Sequence, residues 1–134
     1  KTVVDGLSFA SGLEAYMYKA LKAANIKAEY EGESYELIHA FKFQSDVYER
    51  CANSKGEYKN RGNKNVLGIK YTPDFVGRDF IIECKGRPNE SFPIRWKLFK
   101  RYVEMFLPGY VIYKPQNQAE CDETINLIIS RKKQ

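Results

Sequence analysis

Leu13, Met17, Leu21 and Ala24 recur at helical spacing, and Asn25 follows where a helix would stop, so residues 11–25 predict an amphipathic helix. The next stretch, IKAEYEGESYELI, interleaves tyrosines with charges and reads as one strand or a bent pair. Phe41, Phe43 and Val47 extend a strand pattern, whereas CANSKGEYKNRGNKN, residues 51–65, has the composition of a solvated loop. Two strands are predicted near residues 66–71 and 79–85. In the second, Phe80, Ile81, Ile82 and Cys84 imply burial on both faces. Further on, IRWKLFKRYVEMFL gathers Leu98, Phe99, Tyr102, Val103 and Phe106 on one helical face, and Pro108 and Gly109 end it. YVIYK at 110–114 predicts a short buried strand. AECDETINLIISRKK predicts a last helix with Ile125, Ile128 and Ile129 inward. The order α-β-β-β-α-β-α places the chain in the α/β class, with a mixed central sheet flanked by helices.

Composition narrows this little. A chain of 134 residues is read as a single domain, 1–134, and 43% hydrophobic with 29% charged residues is ordinary for a folded protein. The net charge of +5 suits a polyanionic partner without requiring one. No apolar run approaches the roughly 20 residues needed to cross a bilayer, and no signal peptide opens the chain. Cys51, Cys84 and Cys121 are odd in number and far apart, which suits a reducing interior, so a cytoplasmic location is expected. With His39 the single histidine, a zinc site is not expected. The chain opens on Lys1 rather than methionine, so its natural start is expected upstream.

The chemistry concentrates in YTPDFVGRDFIIECKG, residues 71–86. Alternation along a strand sends Glu83 and Lys85 to one face and Ile82 and Cys84 to the other. Asp74 follows Pro73, which has no N–H to donate and interrupts regular pairing. If strands 66–71 and 79–85 are neighbours, Asp74 and Glu83 converge. Two carboxylates and a backbone carbonyl, that of Cys84, make a hard oxygen site suited to Mg²⁺. Without a cation, two nearby carboxylates repel and one is pushed toward protonation.

YTPDF followed by IIECKG resembles the signature of the PD-(D/E)xK nuclease superfamily, and SGLE at 11–14 resembles its helical first acidic motif. Together with Phe9 before SGLE, the set is similar to the T7-type phage endonuclease I family of Holliday-junction resolvases. The match spans roughly residues 9–38 and 71–101, with a longer stretch between Leu37 and Tyr71 than in those resolvases. The resemblance implies a restriction-endonuclease-like α-β-β-β-α-β core followed here by a C-terminal helix. It implies Glu14, Asp74, Glu83 and the Cys84 carbonyl as metal ligands or their supports, Lys85 as the catalytic lysine, and Mg²⁺ as cofactor with Mn²⁺ substituting. It further implies hydrolysis of branched or junction DNA by a homodimer, in the host cytoplasm if the chain is phage-encoded. In that family the N-terminal segments are exchanged between chains, so the first acid serves the partner's site.

Plainer readings stand beside these. Ser11-Gly-Leu-Glu14 also fits a capping box, Glu83 and Lys85 a surface ion pair, and Asp74 a turn residue. Lys97 and Arg101 on the second long helix are candidate phosphate contacts, or simply its solvated face. So are Lys55, Lys59, Arg61 and Lys64, set against Glu57 alone in the basic loop. Trp96 and His39 read as structural residues. Two alternatives remain: a site- or structure-specific duplex DNA nickase of the same fold, and a nucleic-acid-binding module without catalysis.

Overall fold

A computed structural model of the protein describes residues 1–86, 89 and 91–133. The chain opens with a hairpin of β1 (Thr2–Val4) and β2 (Leu7–Phe9), turned at Asp5 and Gly6, both at positive φ. Helix α1 (Gly12–Ala23) follows, capped by Ser11, and then β3 (Ala28–Tyr30). Six short strands come next: β4 (Tyr35–Ile38), β5 (Phe41–Phe43), β6 (Tyr48–Glu49), β7 (Lys59–Asn60), β8 (Lys64–Val66) and β9 (Ile69–Tyr71). The chain closes with β10 (Phe75–Gly77), β11 (Phe80–Ile82), α2 (Phe92–Phe106), β12 (Val111–Tyr113) and α3 (Gln118–Lys132).

The content is α/β, as the hydrophobic pattern implies, and it divides into two compact units. One comprises Lys1–Ser34 with the chain from Thr72 onward; the other is Tyr35–Tyr71.

In the first unit a four-stranded mixed sheet runs β12-β11-β10-β3, with β11 and β12 parallel and the other pairs antiparallel. One sheet face carries Phe75, Phe80, Ile82 and Cys84 into a cluster with Met17 and Leu21 of α1 and Cys121, Ile125 and Ile128 of α3. Each fully buried large apolar side chain there contributes about 2 kcal/mol. Ile81 is fully buried outside that cluster, on the other face. Helix α2 meets that face: the Phe92 ring lies under the ammonium of Lys85, and Trp96 is near that of Lys114. The inward stripe of α2 is Phe92, Trp96, Phe99 and Val103. It lies nearer the N-terminus than the sequence pattern predicts, and Phe106, expected inside, is exposed. Asn25 at positive φ marks the end of α1, as the sequence suggests.

The second unit departs most from expectation. Its pairs nest as β4 with β9, β5 with β8 and β6 with β7, which makes one interrupted antiparallel ribbon. The predicted loop 51–65 is therefore strand at its far end, and the expected strand 66–71 is broken at Leu67 and Gly68. A Cβ on Gly62 would stand 2.0 Å from the Ser45 carbonyl oxygen, so only glycine permits that close approach of the two chains.

The ribbon corrects one premise of the site. Strand 69–71 pairs with β4 rather than with residues 79–85. The true antiparallel neighbour of β11 is β10, a three-residue strand directly after Pro73 and Asp74. A single turn between β10 and β11, rather than adjacency of the longer strands, is what puts Asp74 beside Glu83. The register Phe75↔Ile82, continued by one residue, makes them cross-strand partners.

Candidate active site

Glu14, Asp74 and Glu83 come from α1, the entry to β10 and the exit of β11. All three are buried, with 8%, 9% and 7% of their surface exposed. Burying one carboxylate is expensive, and burying three together is more so. The strain is visible at Asp74. Burial first, then repulsion from Glu83 and from Glu14, pushes its carboxyl up to about 8, although the Cys84 amide donates to it and works the other way. That amide bond, Cys84 N to Asp74 Oδ2 at 2.8 Å, locks the strand carrying Glu83 and Lys85 to the acid opposite. The Asp74 carbonyl accepts from the Glu31 amide at 2.8 Å, which fixes the other side of β10 against the end of β3.

Glu14 stands both at the capping turn of α1 and among the buried acids. Ser11 caps α1, its hydroxyl accepting from the Glu14 amide at 3.2 Å and donating to Glu14 Oε2 at 3.0 Å. The reciprocal bond of the expected capping box thus goes to the Ser11 hydroxyl instead of its backbone. The other oxygen, Oε1, accepts from the Tyr30 hydroxyl at 2.5 Å. Tyr30 itself packs between Phe9, at 4.6 Å between ring centroids, and Phe75, at 5.3 Å. Burial and the bond to Glu14 push its phenol well above the usual range. Glu14 therefore reaches Asp74 electrostatically within one chain, without exchange of the N-terminal segment. Sequence reasoning overlooked Tyr30; its one signal was an aromatic with a polar tip at the end of a short strand.

Lys85 leaves the sheet beside these acids, its amide donating to Pro115 O at 3.1 Å. Its ammonium stands 4.9 Å from the centroid of the Phe92 ring. Between the two site residues, Cys84 turns into the core, where its thiol is raised by a hydrogen bond to Cys121 and by burial.

A hard divalent cation suits this donor set: clustered carboxylate oxygens whose mutual repulsion a positive charge would relieve. Asp74 and Glu83 with the Cys84 carbonyl are the residues that would hold it, with Glu14 supporting. The carboxylates are nevertheless not closed on a shared point. Among the described residues no group of three or more His, Cys, Asp or Glu side chains is spaced to clasp an ion. Both Glu14 oxygens already accept hydrogen bonds.

The remaining candidates belong to other elements. Lys97 and Arg101 stand one turn apart on the exposed side of α2. Lys55, Lys59, Arg61 and Lys64 belong to the ribbon, with Lys59 in β7 and Lys64 in β8. Arg61 has a local task, since its Nε donates to Glu49 O and its Nη2 to Glu57 O, both at 3.0 Å, closing the ribbon tip. His39 is exposed beside Glu36, and Trp96 is buried and stacked on Phe92 at 5.6 Å.

Fold and site together define an α/β protein with a buried three-carboxylate cluster at one end of a mixed sheet. The chain belongs to the family described as protein of unknown function (DUF1064), which it matches over residues 1–116. That match takes in the whole acidic cluster and Lys85. No curated protein and no solved structure matches it. Among the described residues no helix is long and apolar enough to cross a membrane.

Proposed function

We propose that the protein is a Mg²⁺-dependent endonuclease that hydrolyses DNA phosphodiesters, selective for branched or junction DNA and acting as a homodimer. The observation that supports this is the burial of Glu14, Asp74 and Glu83 at one end of the sheet, near enough for Glu83 and Glu14 to raise Asp74, with Lys85 on the same strand as Glu83. A bound divalent cation would supply acidity to a coordinated water and offset negative charge on the phosphoryl oxygens. Asp74 and Glu83 orient that centre through the strand pairing that holds them. Glu14, tethered by Ser11 and Tyr30, adds negative charge without being free to swing. Lys85 reaches the scissile phosphate, where its charge stabilises the oxygens and its N–H groups orient the attacking water. Water oxygen bonds to phosphorus, and the bond to one strand end breaks. One new end carries the phosphate and the other a hydroxyl. Dimerisation and junction selectivity follow from the resemblance to the resolvases.

The test is cleavage of a panel of four-way junction, flap, duplex and single-stranded DNA in Mg²⁺, Ca²⁺ or chelator. Asp74→Asn and Glu83→Gln should each abolish cleavage while changing junction affinity by no more than a few-fold. Retained cutting in both variants removes this site from consideration. A second reading, a binding module without catalysis, draws on the open arrangement of the carboxylates. A tight junction complex with no products under any divalent ion would establish it instead.

A further inference from the structure

The geometry points to Lys114 as a second phosphate-binding lysine of this site, gripping the DNA strand next to the bond that Lys85 serves; the inference rests on the nuclease reading above.

The parallel register of β11 and β12 ends at Ile82↔Tyr113, but two more backbone bonds continue it, Glu83 N to Tyr113 O at 2.9 Å and Lys85 N to Pro115 O at 3.1 Å. Lys114 is thereby held alongside Glu83. Alternation places it on the same sheet face as Asp74, Glu83 and Lys85, while its neighbour Pro115 is buried. The Lys114 ammonium is 5.8 Å from the Phe92 centroid and 5.7 Å from that of Trp96, and Lys85 shares the Phe92 ring at 4.9 Å. Two cations thus converge on one aromatic side chain at the rim of an acidic cluster. The rings steer both stems, yet each cation–π contact contributes only about 0.5–1 kcal/mol where water has access, and two like charges repel. A bridging anion converts that repulsion into attraction. Lys114 is exposed whereas Lys85 is half-buried, so Lys114 meets the more accessible part of a strand lying across the site. A phosphodiester is the anion that fits a pair of lysines spaced along one sheet edge.

The experiment measures junction binding against salt concentration, with Glu83→Gln as the non-cleaving background. Adding Lys114→Ala should weaken binding about five- to tenfold at low salt and reduce the slope of log K against log salt by about one. Lys114→Arg should restore most of both, which a purely structural lysine would not require. Lys132→Ala, on the exposed end of α3, serves as the surface-charge control and should leave the slope unchanged. Thermal unfolding of Lys114→Ala should match the parent and so separate lost contact from lost fold. A parent slope retained in Lys114→Ala overturns the assignment while leaving the nuclease reading intact. Failure of the unsubstituted protein to bind or cut any substrate removes the nuclease reading, and this inference with it.

Discussion

Replacing Asp74 with asparagine should stabilise the metal-free protein, and should do so more as pH rises. The folded carboxyl titrates at about 8 against an ordinary value of 3.8. Below about pH 4 the acid is protonated whether the chain is folded or not, and burial costs nothing extra in ionisation. Between there and about pH 8 the folded state holds a proton that the unfolded state has released. Stability accordingly falls by up to ~1.4 kcal/mol per pH unit across that window and levels off above it. At pH 7 the accumulated penalty has a ceiling of ~4 kcal/mol. Water entry and an effective dielectric nearer 20 than 4 reduce this to about 2 kcal/mol. Asparagine mimics the protonated form, and its side-chain oxygen can still accept from the Cys84 amide.

Asp74→Asn should therefore match the parent near pH 4 and exceed it by about 2 kcal/mol at pH 7, a rise in Tm of roughly 6–10 °C for a chain of this size. Thermal unfolding in chelator from pH 4 to 9 measures it. Adding Mg²⁺ should then stabilise the parent and leave the variant unmoved, because binding to the folded state alone raises stability by mass action. A difference between the two proteins that does not vary with pH would refute the electrostatic account of the cluster. It would leave Asp74 as an ordinary turn residue.

Three further outcomes are expected. Tyr30→Phe removes the hydroxyl bonded to buried Glu14 and should lower stability by roughly 1–2 kcal/mol; an unchanged Tm would mean the bond does not tether that acid. Gly77→Ala would set a Cβ 2.2 Å from the buried Phe80 ring in the β10–β11 turn, so urea unfolding should reveal a loss of roughly 1–3 kcal/mol, and tolerance of the change would show that the turn can give. Neutralising Lys55, Lys59 and Lys64 together should flatten the salt dependence of DNA affinity, whereas Arg61→Gln should chiefly loosen the ribbon tip; an unchanged slope in the triple variant would mean the ribbon never meets DNA.

The long elements were legible because their burial is one-sided and periodic. Residues 12–23 and 118–132 carry apolar positions at helical spacing with caps at Ser11 and Asn117, and both appear as helices within a few residues of expectation. Phe80 to Ile82 declared a strand buried on both faces, and it is one. What stayed hidden was short or exposed. The ribbon's strands are two to four residues long and largely solvated, so no hydrophobic alternation marks them. The β1–β2 hairpin has its local signal in Asp5-Gly6, a dipeptide suited to positive φ at both positions, but its strands are only three residues long. Strand β10 was hidden by its own site, because Pro73 and Asp74 look like a loop. Asp74 and Glu83 were paired by the right expectation through the wrong strand. Lys114 and Tyr30 had no motif to announce them, since tertiary packing alone brings each to the acids.

The way β11 divides its side chains explains why site and core cannot vary independently. Ile82 and Cys84 fasten the strand to α1 and α3, and Glu83 and Lys85 occupy the alternate positions. Any shift that relaxes the core by one residue would turn the acid and the lysine inward and the thiol outward. The amide of Cys84 guards against such a slip, because its bond to Asp74 exists in only one register. The same carboxylate is therefore both strained by burial and the pin that sets the strand. That coupling is why asparagine, which keeps the acceptor and discards the charge, is the substitution that separates holding the strand from doing chemistry. Alanine at the same position would remove both at once.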